Sequence, residues 1–216
     1  MLNSTYLSQS SERCEAFENA TQIHLFCSNP EEINQPNEFG WTPLYRALIS
    51  NNKEALTELL NFGADPNIPT TMGETPLYQS IEIENFELFE ILIQYKANLN
   101  LPKKDGTTPL HLATKKGLTN FVEKLLNNGA DPNMVNNLYK QTPLHLAINN
   151  KVDLQIVELL NKFGVEYYSQ DKYGEIAINY CDDNDYKAKV IEKITLAFGN
   201  RNDLPVLYNN TKPWNA

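Results

Sequence analysis

Short apolar segments alternate along the chain with polar, turn-forming segments. Between residues 118 and 127 the apolar side chains recur at helical spacing, which predicts a short amphipathic helix that buries Phe121, Val122, Leu125 and Leu126. A shorter helix is predicted to begin at Pro109, because Thr108 can cap a helix N-terminus and proline fits the first helical position. Gly129 is typical of a helix end, since glycine readily takes the left-handed conformation. The pattern predicts two helices followed by a hairpin-like finger that runs to Gln141.

This unit recurs four times. The phrase Thr-Pro-Leu followed by Tyr or His begins at Thr42, Thr75, Thr108 and Thr142, with spacings of 33, 33 and 34 residues. Each copy is followed by a second phrase: FGADPN at 62–67, YKANLN at 95–100, NGADPN at 128–133 and FGVEYY at 163–168. The first phrase and the period resemble those of the ankyrin repeat. Four copies in register make this resemblance specific.

The resemblance implies an all-α ankyrin-repeat solenoid of paired antiparallel helices with protruding, hairpin-like fingers. We expect full repeats at 39–71, 72–104, 105–138 and 139–172. Degenerate capping repeats are expected at 11–38 and 173–199. A polar N-terminal arm (1–10) precedes them and a tail rich in proline and aromatic residues (200–216) follows.

Three departures from the repeat pattern carry structural expectations. Lys96 replaces the helix-ending glycine of the second repeat, at a cost of about 1 kcal/mol if the left-handed turn is kept. One extra residue is expected in the finger at 134–141, and another between the two helices of the fourth repeat.

The tail is expected to pack on the final helix through Leu204, Leu207, Tyr208 and Trp214; the alternative is that it docks on another chain.

Composition and charge narrow the class of partner. The formal net charge of −9 disfavours nucleic acid, because phosphate binding draws mainly on Lys and Arg. No apolar run approaches the roughly 18 residues of a membrane-spanning helix, and the N-terminus resembles no secretion signal. Cys14, Cys27 and Cys181 are an odd, widely spaced set, which favours reduced thiols. We therefore expect a cytoplasmic or nuclear protein with no membrane insertion.

No motif for catalysis or for cofactor binding is found in the sequence, so we expect no enzymatic activity, cofactor, metal or small-molecule substrate. The resemblance gives His111 and His145 a structural role, hydrogen bonding to backbone between repeats. Tyr45 and Tyr78 hold the same position in the first two repeats, which argues against catalysis there. His24 with Cys14 and Cys27 lacks zinc spacing and a fourth ligand. The acidic residues Asp182, Asp183 and Asp185 are expected to cap the final helix.

Finger tips and the ends of the first helices are the partner-binding positions that the resemblance implies. Among them, large apolar side chains stand in a row at Phe39, Trp41, Met72, Tyr139 and Tyr173, as protein interfaces favour. The alternative is that each rests against its own neighbouring finger. Lys104, Lys115 and Lys116, together with Lys103, are expected to converge, either as solvated surface or as a site for an acidic partner.

These observations predict a non-catalytic module that binds another protein through its concave face and finger tips: an adaptor, an inhibitor or a targeting subunit. A second hypothesis is an architectural subunit embedded in a large cytoskeletal, ciliary or mitochondrial assembly. The abundance of asparagine is also compatible with a bacterial effector that acts in a host cell.

Overall fold

The computed structural model describes residues 32–198, with side chains described up to residue 195. This part of the chain forms four consecutive helix pairs: α1 (Pro43–Ile49) and α2 (Lys53–Asn61), α3 (Pro76–Glu82) and α4 (Phe86–Gln94), α5 (Pro109–Lys115) and α6 (Thr119–Asn127), α7 (Pro143–Asn149) and α8 (Leu154–Lys162). A 3-10 helix (Ala177–Tyr180) and α9 (Asn184–Phe198) follow. The described residues contain no β-strand beyond one isolated antiparallel bridge, Gln170 to Ile176. The predicted all-α class with paired helices is confirmed.

The chain divides into two compact units at residues 104 and 105. In the first unit, each pair packs internally, α1 packs on α3 and α2 packs on α4. In the second unit, α5 packs on α7 and α7 on the 3-10 helix, while α6 packs on α8 and α8 on α9. Within each unit, helices therefore pack on the helix that occupies the same position in the neighbouring repeat.

Every first helix begins in the same way. The threonine before the proline has an extended backbone, and its hydroxyl oxygen accepts a hydrogen bond from the backbone N–H three residues later. Such a cap contributes about 1 kcal/mol to helix stability. All four threonines are buried: Thr42, Thr75, Thr108 and Thr142. The motif that identifies the repeat in the sequence is thus the device that starts its first helix.

Leucine is the commonest residue of the buried core in the described part of the chain, followed by isoleucine, alanine and valine. The leucine of the Thr-Pro-Leu phrase is at most 1% exposed in all four copies. Full burial of one such side chain contributes about 1.5–3 kcal/mol. The second helices add buried pairs with helical spacing, including the predicted Phe121, Val122, Leu125 and Leu126 of α6. The apolar pattern read from the sequence is therefore the buried face of each helix.

The second helices end in a left-handed turn, including the one that lacks glycine. Gly63, Gly129 and Gly164 have φ values of 92°, 95° and 81° at these ends. Lys96 holds the same position with φ 63°. The turn is kept without glycine, so the strain predicted from the sequence is present in the fold.

Both predicted insertions lie in loops. In the finger that precedes α7, the backbone bond from Asn136 N–H to the Gln141 carbonyl spans five residues. The same bond spans four residues in another finger, from Asn37 N–H to the Trp41 carbonyl. The extra residue therefore lies in the turn at 137–140. The loop between α7 and α8 holds four residues, one more than in the other three pairs.

The C-terminal end of the described chain departs from the full repeat. A single 3-10 turn stands where a first helix would stand, and α9 packs on α8 through Val190, Ile191 and Ile194. Asp183 caps α9, since its carboxylate accepts hydrogen bonds from the N–H groups of residues 185 and 186. The other two acidic residues form ion pairs instead: Asp182 with Lys151 and Asp185 with Lys189.

Several predictions fall outside the described residues. They are the N-terminal arm, most of the N-terminal capping repeat, and the tail anchors Leu204, Leu207, Tyr208 and Trp214. The repeat boundaries and the packing of the tail stay predictions.

Replacing Lys96 with glycine is expected to raise the free energy of unfolding by up to about 1 kcal/mol, because glycine takes the left-handed conformation without steric cost. Urea unfolding of the two proteins measures the difference. Gly129→Ala is the reverse control: its new Cβ meets no atom within 4 Å, so the loss expected there comes from backbone strain alone. A less stable Lys96→Gly protein would contradict the strain argument.

Thr114 is a polar residue in the core of α5. It is fully buried, and its hydroxyl has no hydrogen-bond partner among the described residues. Leu48, Ile81 and Ile148 occupy the same position in the other repeats and are equally buried. A buried hydroxyl without a partner destabilises a protein by about 1–3 kcal/mol.

Thr114→Val is therefore expected to raise the free energy of unfolding by about 1 kcal/mol, since it removes the unsatisfied hydroxyl and keeps the side-chain shape. The matched control is Thr108→Val, which is expected to destabilise because it removes the cap of α5. Denaturant unfolding of the three proteins measures both changes. Equal losses in the two variants would mean that the Thr114 hydroxyl is hydrogen-bonded.

Candidate protein-binding surface

The two histidines of the repeat phrase hold neighbouring segments together. His111 Nε2 lies 2.9 Å from the Gln141 carbonyl oxygen, and His145 Nε2 lies 3.2 Å from the Glu175 carbonyl oxygen. A carbonyl only accepts, so Nε2 carries the proton and donates. In His111, Nδ1 then accepts from the Thr108 N–H at 3.3 Å. The predicted structural role of both histidines is confirmed, and neither ring faces solvent.

Tyr45 makes a similar link with different groups. Its hydroxyl lies 3.1 Å from the Gln79 side-chain oxygen and 3.4 Å from a Glu74 carboxylate oxygen. Burial, together with the Glu74 carboxylate, raises the pKa of Tyr45, so the phenol stays protonated and donates. Tyr45 thus reaches side chains of the second repeat, whereas the histidines reach backbone carbonyls.

Finger tips are fastened to one another by backbone hydrogen bonds. In the first unit, Thr71 N–H donates to the Phe39 carbonyl at 3.2 Å. In the second unit, Lys172 N–H donates to the Tyr139 carbonyl at 2.9 Å. The approach is close: a Cβ on Gly40 would lie 2.6 Å from the Thr71 nitrogen. Side chains on these tips therefore extend from a backbone that is fixed in position.

In the first unit, Phe39 and Met72 are exposed at neighbouring finger tips, with 54% and 62% of their surface accessible. Trp41 is only half-buried between two rings: its ring lies 5.5 Å from that of Phe39 and 5.9 Å from that of Tyr45. Trp41 thus lies against one ring of its own finger and one ring of α1, and its role in partner binding stays a prediction. The residue before each capping threonine is half-buried in all four repeats.

In the second unit, the finger tips present a different set of side chains. Tyr173 is 64% exposed, Leu138 59% and Tyr139 40%. The Lys172 Nζ lies 4.5 Å from the centroid of the Tyr139 ring and 5.1 Å from that of Tyr173. The structure therefore brings two of the predicted residues together around a lysine. The position of the lysine near both rings depends on the stacking of the two fingers.

The predicted lysines are divided between the units. Lys103 is held in the first unit by Glu74, at 3.1 Å, and its Nζ lies over the Tyr78 ring. Lys104 is exposed in the same unit, while Lys115 is exposed and Lys116 half-buried in the second. The convergence of these side chains stays a prediction.

Three other features bear on function in the described part of the chain: metal ligands, cysteines and membrane-spanning helices. Within residues 32–198, no group of three His, Cys, Asp or Glu side chains could hold a metal ion. Cys181 is a buried, free cysteine, and the set Cys14, His24 and Cys27 lies outside the described residues. No helix in this part of the chain is long and apolar enough to cross a lipid bilayer.

Comparison with known proteins decides the family. A family model described as ankyrin repeats (three copies) matches overlapping segments at 13–103, 50–136, 81–171 and 110–191. The chain belongs to the ankyrin repeat family. Ankyrin repeats generally mediate protein–protein interactions and are typically not enzymes.

Two relatives extend the comparison. An ankyrin repeat protein of fowlpox virus (strain NVSL) is 40% identical over 80 residues, which are 35% of this chain and 13% of the viral protein. The match thus spans a small part of that relative's length. The crystal structure of an ankyrin repeat domain from Acinetobacter baumannii AYE matches with a TM-score of 0.75 and 26% identity. The matched region covers 85% of this ankyrin repeat chain and 94% of the Acinetobacter domain.

The buried histidines make stability depend on pH. Burial lowers the pKa of His111 and His145 below the value of about 6.5 expected in the unfolded chain. Below that value the unfolded state binds more protons than the folded state, so the free energy of unfolding falls as the pH is lowered through and below about 6.5.

Replacing both histidines with tyrosine, the residue at this position in the first two repeats, is expected to reduce that dependence. The measurement is urea unfolding of both proteins at about pH 7.5 and about pH 5.5. The difference between the two pH values, rather than absolute stability, is the readout. An equal difference in wild type and variant would show that other groups carry the pH dependence.

Proposed function

We propose that this ankyrin repeat protein is a non-catalytic interaction module, acting as an adaptor, an inhibitor or a targeting subunit, that binds another protein through its finger tips. The observation that carries this proposal is the exposure of large apolar side chains at the tips of successive fingers in each unit: Phe39 and Met72 in the first, Leu138, Tyr139 and Tyr173 in the second. Aromatic residues and Met are enriched in protein interfaces.

The construction of the fingers supports the same proposal. Backbone hydrogen bonds between neighbouring tips hold the exposed side chains on a fixed frame. Binding then orders few groups that were mobile before, which lowers the entropic cost of association. Other exposed apolar side chains lie away from these hydrogen-bonded tips, as Phe62 does at the end of α2.

Surface chemistry differs between the two units. At the ends of the first helices, the first unit adds Ile49 and Ile83 to its apolar surface, next to the exposed carboxylate-bearing residue Glu82. The second unit has the exposed Lys115 at the equivalent helix end. The proposed partner is a protein, with no nucleic acid, membrane insertion or small-molecule substrate. A cytoplasmic or nuclear location is in keeping with the free Cys181, whose pKa is raised by burial so that it stays a thiol.

The test is affinity capture of partners from cells of the source organism, followed by mass spectrometry. The finger variant carries Phe39→Ser, Met72→Ser, Leu138→Ser and Tyr173→Ser. The control variant carries Phe62→Ser and Tyr168→Ser, at exposed apolar positions away from the tips. A protein captured by the wild type and the control but reduced about tenfold or more with the finger variant is the expected result.

Two outcomes would contradict the proposal. Equal capture by the finger variant, with its helical circular dichroism unchanged, would place the binding surface elsewhere. Absence of any protein enriched above background by the wild type would argue against an interaction module.

A further inference from the structure

The finger tips of the second unit form a compact patch that joins aromatic, aliphatic and cationic side chains. We call it the tyrosine–lysine patch and define it by five residues: Leu138, Tyr139, Lys140, Lys172 and Tyr173. All five are exposed. The Lys172 ammonium lies near both tyrosine rings, at 4.5 and 5.1 Å from their centroids. Ring faces attract a cation, so the ammonium is held between the two fingers.

Within the described part of the chain, neither Lys172 nor Lys140 is paired with a carboxylate. Three other lysines of the same unit are paired: Lys151 with Asp182, Lys189 with Asp185 and Lys193 with Glu158. Two exposed lysines on neighbouring finger tips are notable in a chain with a formal net charge of −9.

The carboxylates on the neighbouring finger are already engaged. Asp171 is buried and accepts hydrogen bonds from the N–H groups of Tyr173 (2.8 Å) and Glu175 (3.0 Å), and from the Tyr180 hydroxyl. The Glu175 carboxylate accepts from the Asn179 side chain at 2.6 Å. The fold thus turns the negative groups of this finger inward and leaves its positive groups outside.

The finger that carries Tyr139 also departs from the others. It has the extra residue in its turn, and Lys140 stands with φ 53° where glycine stands in the other four fingers: Gly40, Gly73, Gly106 and Gly174. A side chain in the left-handed region is strained, and such strain is common at functional positions. The departure adds a second large exposed side chain, Leu138, and a second lysine to the tip.

We infer that the tyrosine–lysine patch binds an acidic segment of a partner protein, in which a carboxylate side chain lies close to a large apolar side chain. The inference rests on the proposed function and names the chemistry of the partner for one unit. The carboxylate meets Lys172 and Lys140, and the apolar side chain packs on Leu138 and the exposed faces of the tyrosines. Charge complementarity of this kind speeds association and selects among partners.

Selection from a displayed library of random linear peptides, with the full-length protein as target, tests the inference directly. Enriched peptides are expected to combine Asp or Glu with an aromatic or aliphatic residue. Lys172→Glu is expected to weaken the binding of the enriched peptides by about tenfold or more. A selection on that variant is expected to enrich peptides with Lys or Arg instead.

The matched control is Lys162→Glu. Lys162 lies over the Phe163 ring at 5.3 Å, a lysine–aromatic contact of the same kind at the end of α8. Lys162→Glu changes the net charge by the same amount as Lys172→Glu. Weaker peptide binding with Lys172→Glu alone would therefore place the effect in the patch. Melting temperatures of both variants check that the fold is kept.

Each remaining outcome overturns the inference. Peptides without acidic residues, no enriched peptide at all, or equal loss with both variants would show that the patch does not recognise acidic segments. Binding of a single-stranded oligonucleotide that is lost with Lys172→Glu would assign the patch to nucleic acid instead. Finger-dependent capture of a protein that is indifferent to Lys172→Glu would leave the proposed function standing and remove this inference alone.

Discussion

A single repeat of this chain cannot bury both faces of its helices, and the rest of the structure follows from that constraint. The leucines of the Thr-Pro-Leu phrase are at most 1% exposed, and within each unit the helices that carry them pack on neighbouring helices. The apolar positions and the capping threonines are therefore buried, so they have little freedom to vary. Variation is left to the finger tips and the loops, and both insertions lie there.

Hydrogen bonds between repeats add to apolar packing. Because they are directional, they fix the orientation of neighbouring segments. His111 and His145 donate to backbone carbonyls of the following finger, and Tyr45 reaches side chains of the next repeat. These bonds set the position of each finger relative to the helix before it. Backbone bonds between tips complete the frame on which exposed side chains stand. Rigid presentation of chemically diverse side chains is what a binding surface needs.

The same frame carries different chemistry in its two units. In the first, apolar tips such as Phe39 and Met72 are accompanied by carboxylates. In the second, tyrosines surround Lys172. A partner that contacts both units would meet two kinds of surface, which restricts the set of proteins that fits. Specificity in a repeat protein can thus arise from tip residues while the core stays nearly the same.

The amino-acid sequence by itself determined the repeat and the helix pairs, because caps, helix ends and apolar spacing are local signals. Thr108 starts α5, and Gly129 follows the end of α6, as the local rules predict. Other features depend on neighbours about 33 residues away, which no local rule includes. Only the tertiary structure showed that Lys172 lies near the ring of Tyr139, on the preceding finger, as well as near that of its neighbour Tyr173. The environment of a tip side chain is set by the adjacent finger, so it is decided when the repeats stack.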